Sequence, residues 1–204
     1  MSISKQSGWK RPALALAASI ITLLLGVGVY VADLLATDNF HAVDPGELYR
    51  SGQMNPETLK NTIRRWGIQC VFNLRGDGNS DWYRGETNVL ESMGVPHHDF
   101  ALSAGRRLGV AEMDSIVQAL KAAPKPILIH CNGGADRSAL VSALYCYSIL
   151  EEPASQADRQ LTPFYGHIPY FHWRYSVAMD ESFALYVQAH PHSNAVQNGP
   201  SPEH

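Results

Sequence analysis

The chain has 204 residues, of which 45% are hydrophobic and 17% charged, and this is enough for one globular domain with its own core. No repeat or heptad runs through it, which excludes collagen-like and coiled-coil classes. Residues 1–36 hold three basic residues and one acidic residue, so the rest carries 13 basic and 18 acidic residues and a net charge of −5. A domain this acidic is a poor binder of nucleic acid, and no nucleic-acid partner is expected.

The first predicted element is an apolar helix, since Ala13–Ala32 contains 20 residues without a charge. At about 1.5 Å per residue such a helix spans roughly 30 Å, the thickness of the hydrocarbon core of a bilayer. Basic residues precede it and Asp33 follows it. The positive-inside rule then places the N-terminus in the cytoplasm and the rest of the chain outside, in the periplasm if the protein is bacterial. We interpret residues 1–36 as a cytoplasmic tip and an uncleaved, single-pass signal anchor. A cleaved signal peptide is the alternative.

Strands and helices alternate in the rest of the chain. The pattern predicts strands at 48–52, 68–74, 95–102 and 126–130, and helices at 56–66, 82–93, 110–122 and 138–150. This alternation predicts an α/β fold with a parallel-rich central sheet flanked by helices. We expect the folded domain to cover residues 37–189 and a disordered polar tail to cover residues 190–204.

A loop between the last predicted strand and the central helix carries the chemistry, and it contains His130, Cys131, Asn132, Gly133, Gly134, Ala135, Asp136, Arg137 and Ser138. The backbone amides of such a loop and the helix N-terminus form an anion site, so Asn132 to Ala135 are expected to bind substrate. Arg137 presents a planar donor that matches two phosphate oxygens. Cys131 lies at the base, where the positive field favours the thiolate, and is the expected nucleophile.

This loop resembles the HCxxGxxR[S/T] phosphate-binding loop of cysteine-dependent protein tyrosine and dual-specificity phosphatases. The segments Leu48–Gln53 and Asn73–Arg75 are similar to those of bacterial dual-specificity-like members. The resemblance implies a dual-specificity phosphatase-like fold with no cofactor and no metal. It also implies that Ser138 helps the thiolate to leave and that His130 orients the loop and tunes Cys131.

The general acid of this family is the point where the sequence departs from the pattern. The usual position falls near Ala104, and Leu102–Gly105 contains no carboxylate. Asp136, within the loop itself, is the first candidate for an acid or a water-positioning group, and its alternative role is to cap the following helix. Asp99 and the loop Gly76–Asp81 are the other candidates.

Other residues at the same sheet edge have two interpretations each. Arg106 and Arg107 follow a predicted strand and either contact an additional phosphate or form a solvated pair. Arg75 is expected to form a structural ion pair. The aromatic-rich stretch Phe164–Tyr175, which contains His167 and His172, forms either core or the lip of a pocket.

The leading hypothesis is a membrane-anchored phosphatase that hydrolyses phosphomonoesters through a cysteinyl-phosphate. Its substrate would be a phosphorylated protein, with phosphotyrosine as one case, or a phosphorylated small molecule or lipid of the phosphoinositide type. A phosphate-binding pseudophosphatase is the first alternative because no carboxylate stands near Ala104. A rhodanese-type sulfurtransferase is the second, and Arg137 and Ser138 count against it.

Overall fold

The computed structural model describes residues 10–76, 78–170 and 175–192, and the chain divides after Thr37 into two compact units. In the first unit, helix α1 covers Lys10–Ala36. Its segment Pro12–Ala36 has 25 residues, reaches a mean hydropathy of 2.4 and is not buried by other parts of the protein. By length and composition it is sufficient to cross a membrane, a property that signal sequences share.

The second unit contains a five-stranded sheet and the helices that cover it. The strands are β1 His41–Asp44, β2 Leu48–Ser51, β3 Cys70–Asn73, β4 His97–Asp99 and β5 Ile127–His130. The α-helices in the described residues are α2 Pro56–Trp66, α3 Asp81–Met93, α4 Val110–Ala122, α5 Asp136–Ser148, α6 Ala154–Ala157 and α7 Val177–Ala189. Short 3-10 turns at Asp158–Gln160 and Pro163–Tyr165 separate α6 from α7.

Helix α2 shows how local sequence determines these boundaries. The side chain of Asn55 accepts a hydrogen bond from the backbone N–H of Thr58, and Pro56 takes the first helical position, where its missing N–H costs nothing. Gly67 ends the helix in the left-handed conformation, with φ of 64°, and its N–H donates to Ile63. The predicted start and end of this helix are confirmed.

The sheet has the strand order β1-β2-β5-β3-β4, and only the β1–β2 pair is antiparallel. The predicted α/β class with a parallel-rich sheet is therefore confirmed. Strand β1 was not predicted, since it lies in the polar connector after the apolar helix. Strand β4 is shorter than predicted, because Pro96 precedes it without an N–H and the strand lies at the sheet edge.

Two apolar cores cover the two faces of the sheet. Alternate strand residues such as Phe72 and Ile129 join the larger core with α4, α5 and α7, whereas Val71 and Leu128 join the smaller core with α2 and α3. Helix α7 was not predicted, although it buries Met179, Phe183 and Tyr186. Beyond it, the His192 ring stacks on Tyr147 at 3.9 Å, so the folded unit reaches into the first residues of the predicted tail. Residues 193–204 lie outside the described residues.

The carboxyl ends of the parallel strands meet in one row. Ser51 pairs with His130, His130 with Asn73, and Asn73 with Asp99. The loop after β5 therefore emerges at the centre of the edge where open α/β sheets bind their ligands.

Candidate active site

Cys131 lies at the base of the loop between β5 and α5 and is only 2% exposed. Its backbone N–H donates to the carbonyl of Ser51 at 3.3 Å, so the neighbouring strand fixes its position. The hydroxyl of Ser138, in the first turn of α5, is fully buried and reaches the same carbonyl at 3.4 Å. The predicted nucleophile and hydroxyl are thus both anchored to the end of β2.

The peptide carbonyls of the four loop residues Asn132 to Ala135 all accept hydrogen bonds from residues outside the loop. The pairs are Gln53 N with Asn132 O at 3.1 Å, Asn39 Nδ2 with Gly133 O at 3.0 Å, and Arg50 Nη2 with Gly134 O at 2.8 Å and with Ala135 O at 3.1 Å. Because the carbonyl and the N–H of a peptide point in opposite directions, these contacts turn the loop amides inward. Among the described residues the N–H groups of Gly133, Gly134 and Ala135, which lie opposite the carbonyls of Asn132, Gly133 and Gly134, donate to no backbone carbonyl, as an anion-binding loop requires.

Arg50 is the largest support of the loop and is fully buried. Its Nη1 donates to the backbone carbonyl and the side-chain oxygen of Gln160 at 3.1 and 2.9 Å, and its guanidinium lies 4.4 Å from the centre of the Tyr165 ring. Burial lowers the pKa of Arg50 to about 10, and the negative charge of Cys131 opposes this shift, so the group stays cationic at neutral pH. The sequence offered one signal for this role, a single arginine within an otherwise apolar buried strand.

Two glycines allow the loop to approach β2 closely. Gly134 has φ of +66°, and a Cβ there would lie 2.6 Å from the backbone nitrogen of Gly52. A Cβ on Gly52 would lie 3.3 Å from the carbonyl oxygen of Asn132. Gly134 therefore requires the absence of a side chain for its conformation and for space, whereas a Cβ on Gly52 would be tightly packed.

Arg137 is positioned by backbone carbonyls at the rim of the loop. Its Nη1 donates to the carbonyls of Leu74 and Leu102, each at 3.3 Å. Its Nε is buried and has no hydrogen-bond partner among the described residues. An anion oxygen at the loop would satisfy this donor, in agreement with the predicted role of Arg137.

His130 forms a buried pair with Glu86, a residue that sequence reasoning missed. His130 Nε2 lies 3.0 Å from Glu86 Oε1, and Gln53 Nε2 donates to Glu86 Oε2 at 2.7 Å. Burial favours the neutral acid, but the hydrogen bonds from His130 and Gln53 outweigh it and lower the pKa of Glu86. The carboxylate thereby fixes the ring next to Cys131. The available signal was an acidic residue four positions before Leu90, on the buried face of α3.

The acid candidates differ in their surroundings. Asp136 is the first residue of α5, directly after Ala135, which occupies the cap position. The Oδ1 of Asp136 contacts Nδ1 of His167 at 2.8 Å. Asp99 accepts hydrogen bonds from Asn73 and from the hydroxyl of Tyr83, both at 2.7 Å, and this holds it at the edge of the sheet.

The other residues predicted at this edge of the sheet are Arg75, Arg106 and Arg107. Arg106 contacts Glu112 at two points, at 2.9 and 2.6 Å, and because an exposed pair of this kind is weak, contact of Arg106 and Arg107 with an additional phosphate stays a prediction. Arg75 contacts no carboxylate in the recorded ion pairs of the described residues; it donates to Gln53 at 3.1 Å and lies over the Trp82 ring at 3.8 Å. The charge of Arg137 and burial both lower the pKa of Arg75, with burial the larger cause, which places it close to the loop.

The described residues of the aromatic stretch after residue 163 lie largely at the surface. Phe164, Tyr170 and Tyr175 are exposed, the second by 87%, whereas His167 is buried. Arg107, Tyr170 and Tyr175 line an open groove of about 510 Å³. His172 lies outside the described residues. Within the described ranges, no group of three or more His, Cys, Asp or Glu side chains is placed to hold a metal ion.

Fold and loop together define a cysteine-dependent phosphatase scaffold, and residues 31–155 match the model of the tyrosine phosphatase family. The chain belongs to this family. Among its relatives is the dual specificity protein phosphatase TpbA of Pseudomonas aeruginosa, 30% identical over 150 residues, a match that covers 67% of this chain and 64% of TpbA.

Solved structures share the fold. A TpbA variant in complex with phosphotyrosine has a TM-score of 0.59 and 20% identity, and the match covers 80% of this chain and 93% of that chain. The core catalytic domain of the PP-IP phosphatase SIW14 from S. cerevisiae has a TM-score of 0.57 and 19% identity, with 78% and 92% covered.

Replacing Arg50 by lysine should open the loop although the charge is kept. An ammonium cannot contact Gly134, Ala135 and Gln160 together, and hydrogen bonds from a charged donor are worth about 1.5–3 kcal/mol each. We expect the affinity for inorganic phosphate, measured by calorimetry, to fall about 100-fold. The exposed Arg64→Lys is the control, and wild-type affinity in a folded Arg50→Lys protein contradicts the role given to Arg50.

Gly134→Ala and Gly133→Ala form a matched pair of substitutions. The first places a Cβ against Gly52 at a positive φ, whereas a Cβ on Gly133 meets nothing within 4 Å. Urea unfolding should show a loss of about 2 kcal/mol or more for Gly134→Ala and less than about 0.5 kcal/mol for Gly133→Ala. Equal losses in the two variants are incompatible with the close approach of the loop to β2.

Proposed function

We propose that this chain is a phosphatase that hydrolyses phosphomonoesters with Cys131 as its nucleophile. The observation that carries the proposal is the loop around Cys131, whose four carbonyls are held outward so that its amides face inward. The three non-bridging oxygens of a phosphoryl group carry charge in the transition state, and inward amides with Arg137 supply donors for them. The match to the tyrosine phosphatase family supports this activity and gives no support to the sulfurtransferase alternative.

The proposed reaction has two steps. The Sγ of Cys131 attacks phosphorus and forms an S–P bond while the ester O–P bond breaks, and Arg137 and the loop amides hold the equatorial oxygens. Water then attacks the cysteinyl-phosphate, and the thiolate leaves. Ser138, anchored next to Cys131, stabilises the departing thiolate, and the His130–Glu86 pair keeps the loop base in place.

Two substrate classes fit the proposed site. One solved relative is a TpbA complex with phosphotyrosine, and another is named a PP-IP phosphatase. For this chain we propose a phosphorylated protein, or a phosphorylated small molecule or lipid head group, with Arg107 and the exposed Tyr170 and Tyr175 at the groove available for contacts beyond the phosphoryl group.

A phosphate-binding pseudophosphatase is the second candidate function. The observation that favours it is the loop Leu102–Gly105, which borders Arg137 through the carbonyl of Leu102 and contains no carboxylate. Such a module would bind phosphorylated ligands through the same loop amides without turnover. Measurement of turnover by the full chain decides between the two.

We further propose that α1 anchors the protein in a membrane with the folded unit outside the cytoplasm. Its 25-residue segment Pro12–Ala36, of high mean hydropathy, supports a membrane span, and the basic residues before that segment support the orientation. A cleaved signal sequence, which has the same apolar character, would export the folded unit without an anchor.

The Cys131→Ser substitution should abolish turnover of an aryl phosphate by the full chain in detergent, and inorganic phosphate should still bind because the amides and Arg137 remain. We expect at least about a 1,000-fold loss of kcat, since the hydroxyl is a far weaker nucleophile than a thiolate. Cys146→Ala, which alters a buried cysteine of α5, is the control and should retain turnover. Substantial turnover by Cys131→Ser would disprove the covalent route, and no turnover by the wild type would favour the pseudophosphatase.

Reporter fusions after residue 40 should reveal an extracytoplasmic folded unit. Alkaline phosphatase, which folds with its disulfides only outside the cytoplasm, should be active, and a cytoplasmic fluorescent reporter should be dark. The fused chain should stay in the membrane fraction, whereas release into the soluble fraction indicates a cleaved signal peptide. Fluorescence from the cytoplasmic reporter would show that the orientation is reversed.

A further inference from the structure

His167 connects the loop to helix α7, and its side chain is fully buried. Its Nδ1 lies 2.8 Å from Oδ1 of Asp136, and its Nε2 lies 3.1 Å from Oδ2 of Asp180. A neutral imidazole has only one N–H, so it can donate to one carboxylate and not to both. Both contacts become hydrogen bonds between opposite charges when the ring is an imidazolium.

The charges around His167 favour this cation. Burial opposes a positive charge, but the hydrogen bonds that the ring donates to Asp136 and Asp180, together with the negative charges of these carboxylates, outweigh it, so the pKa of His167 is raised. Asp158, in the turn before the aromatic stretch, also interacts with His167 and Asp180; burial is the main reason that its own pKa is raised. Two carboxylates, one from α5 and one from α7, therefore contact one imidazole.

The contact with His167 determines whether Asp136 can act as a proton donor or as a carboxylate anion. A carboxylate that accepts a hydrogen bond from a buried imidazolium is stabilised as an anion, which makes it a poor donor of a proton to a leaving group. An uncompensated anion beside Arg137 would also repel a phosphoryl dianion, and the charge of His167 offsets this repulsion. As an anion, Asp136 can accept a hydrogen bond from water and orient it.

We propose that His167, anchored by Asp180, is a positioning residue that holds Asp136 as the carboxylate which aligns water for hydrolysis of the cysteinyl-phosphate. This inference rests on the proposed function. In the step, the water oxygen forms a bond to phosphorus while the S–P bond breaks, and the electron pair of that bond returns to Sγ of Cys131. One proton of the water leaves to solvent, and inorganic phosphate is released.

Formation and hydrolysis of the cysteinyl-phosphate are two steps that steady-state kinetics can resolve. With an activated aryl phosphate, kcat/KM reports the reaction up to formation of the phosphoenzyme, while kcat also includes its hydrolysis. A defect in the water step therefore lowers kcat, leaves kcat/KM unchanged and makes the cysteinyl-phosphate accumulate. Loss of a general acid would instead lower kcat/KM, most of all for alkyl phosphates with poor leaving groups.

The experiment compares Asp136→Asn, His167→Gln and Asp180→Asn in the full chain, with a nitrophenyl phosphate for kinetics and rapid quench for the phosphoenzyme. We expect kcat to fall about 100-fold in the first two variants and about 10-fold in the third, with kcat/KM within about twofold of wild type. Phosphoenzyme should accumulate in all three. The double variant Asp136→Asn/His167→Gln should be no slower than Asp136→Asn alone, because His167 acts through Asp136.

Asp114→Asn is the matched control, since it removes a carboxylate from another Asp–His pair, with His190 at 3.1 Å, and should leave both kinetic parameters unchanged. If His167→Gln does not fold, Asp180→Asn, at a partly exposed side chain, still tests the inference. Parallel losses of kcat and kcat/KM, or no accumulation of phosphoenzyme in the folded variants, overturn it. A wild-type protein that never forms a phosphoenzyme overturns the covalent function and this inference together, whereas a normal wild type with unaffected variants overturns the inference alone.

Discussion

The contact between the guanidinium of Arg50 and the carbonyls of Gly134 and Ala135 supports the rest of the site. Loop amides can face an anion only if their carbonyls find partners on the outer side, where β2 and the protein interior lie. A buried cation supplies strong donors there, and its burial is offset by the oxygens of Gln160 and by the face of the Tyr165 ring. The same side chain thus links the loop to the segment between α6 and α7.

The electrostatics of the site are local and do not follow from the charge of the chain. The sequence after residue 36 is acidic, yet Arg50, Arg75 and Arg137 gather around the loop. Two buried carboxylate–histidine pairs, Glu86 with His130 and Asp136 with His167, lie at its base and at its helix end. In each pair the histidine ring contacts the carboxylate near the loop.

The features that could be predicted from the sequence are those that depend on residues close together in the chain. Asn55 and Gly67 mark the ends of α2, and the strand–loop–helix order around Cys131 follows from short-range patterns. The supports of the loop could not be predicted in this way, because Asn39 lies 94 residues before the carbonyl that it binds, and Glu86 lies 44 residues before His130. Spacing carries no information about such pairs; the parallel order β2-β5-β3 brings them together.

Surface features are harder to predict than the ends of helices. Arg106 pairs with Glu112 in the first turn of α4, and such an exposed pair cannot be distinguished in sequence from a free arginine. The aromatic stretch has a density typical of core, but among its described residues His167 and Gly166 are buried, while Phe164 and Tyr170 face solvent. Helix α7 was not predicted, because its apolar spacing begins directly after that aromatic stretch.

The shape of the loop is set by contacts within the protein, from Arg50, Asn39 and Gln53, rather than by the group it binds. Such preorganisation means that little reorganisation is needed when a phosphoryl group enters. It also means that the site does not distinguish the substrate's phosphoryl group from free inorganic phosphate by loop geometry. Product inhibition is the direct consequence, so that the local phosphate concentration would set how much of the protein is available to its substrate.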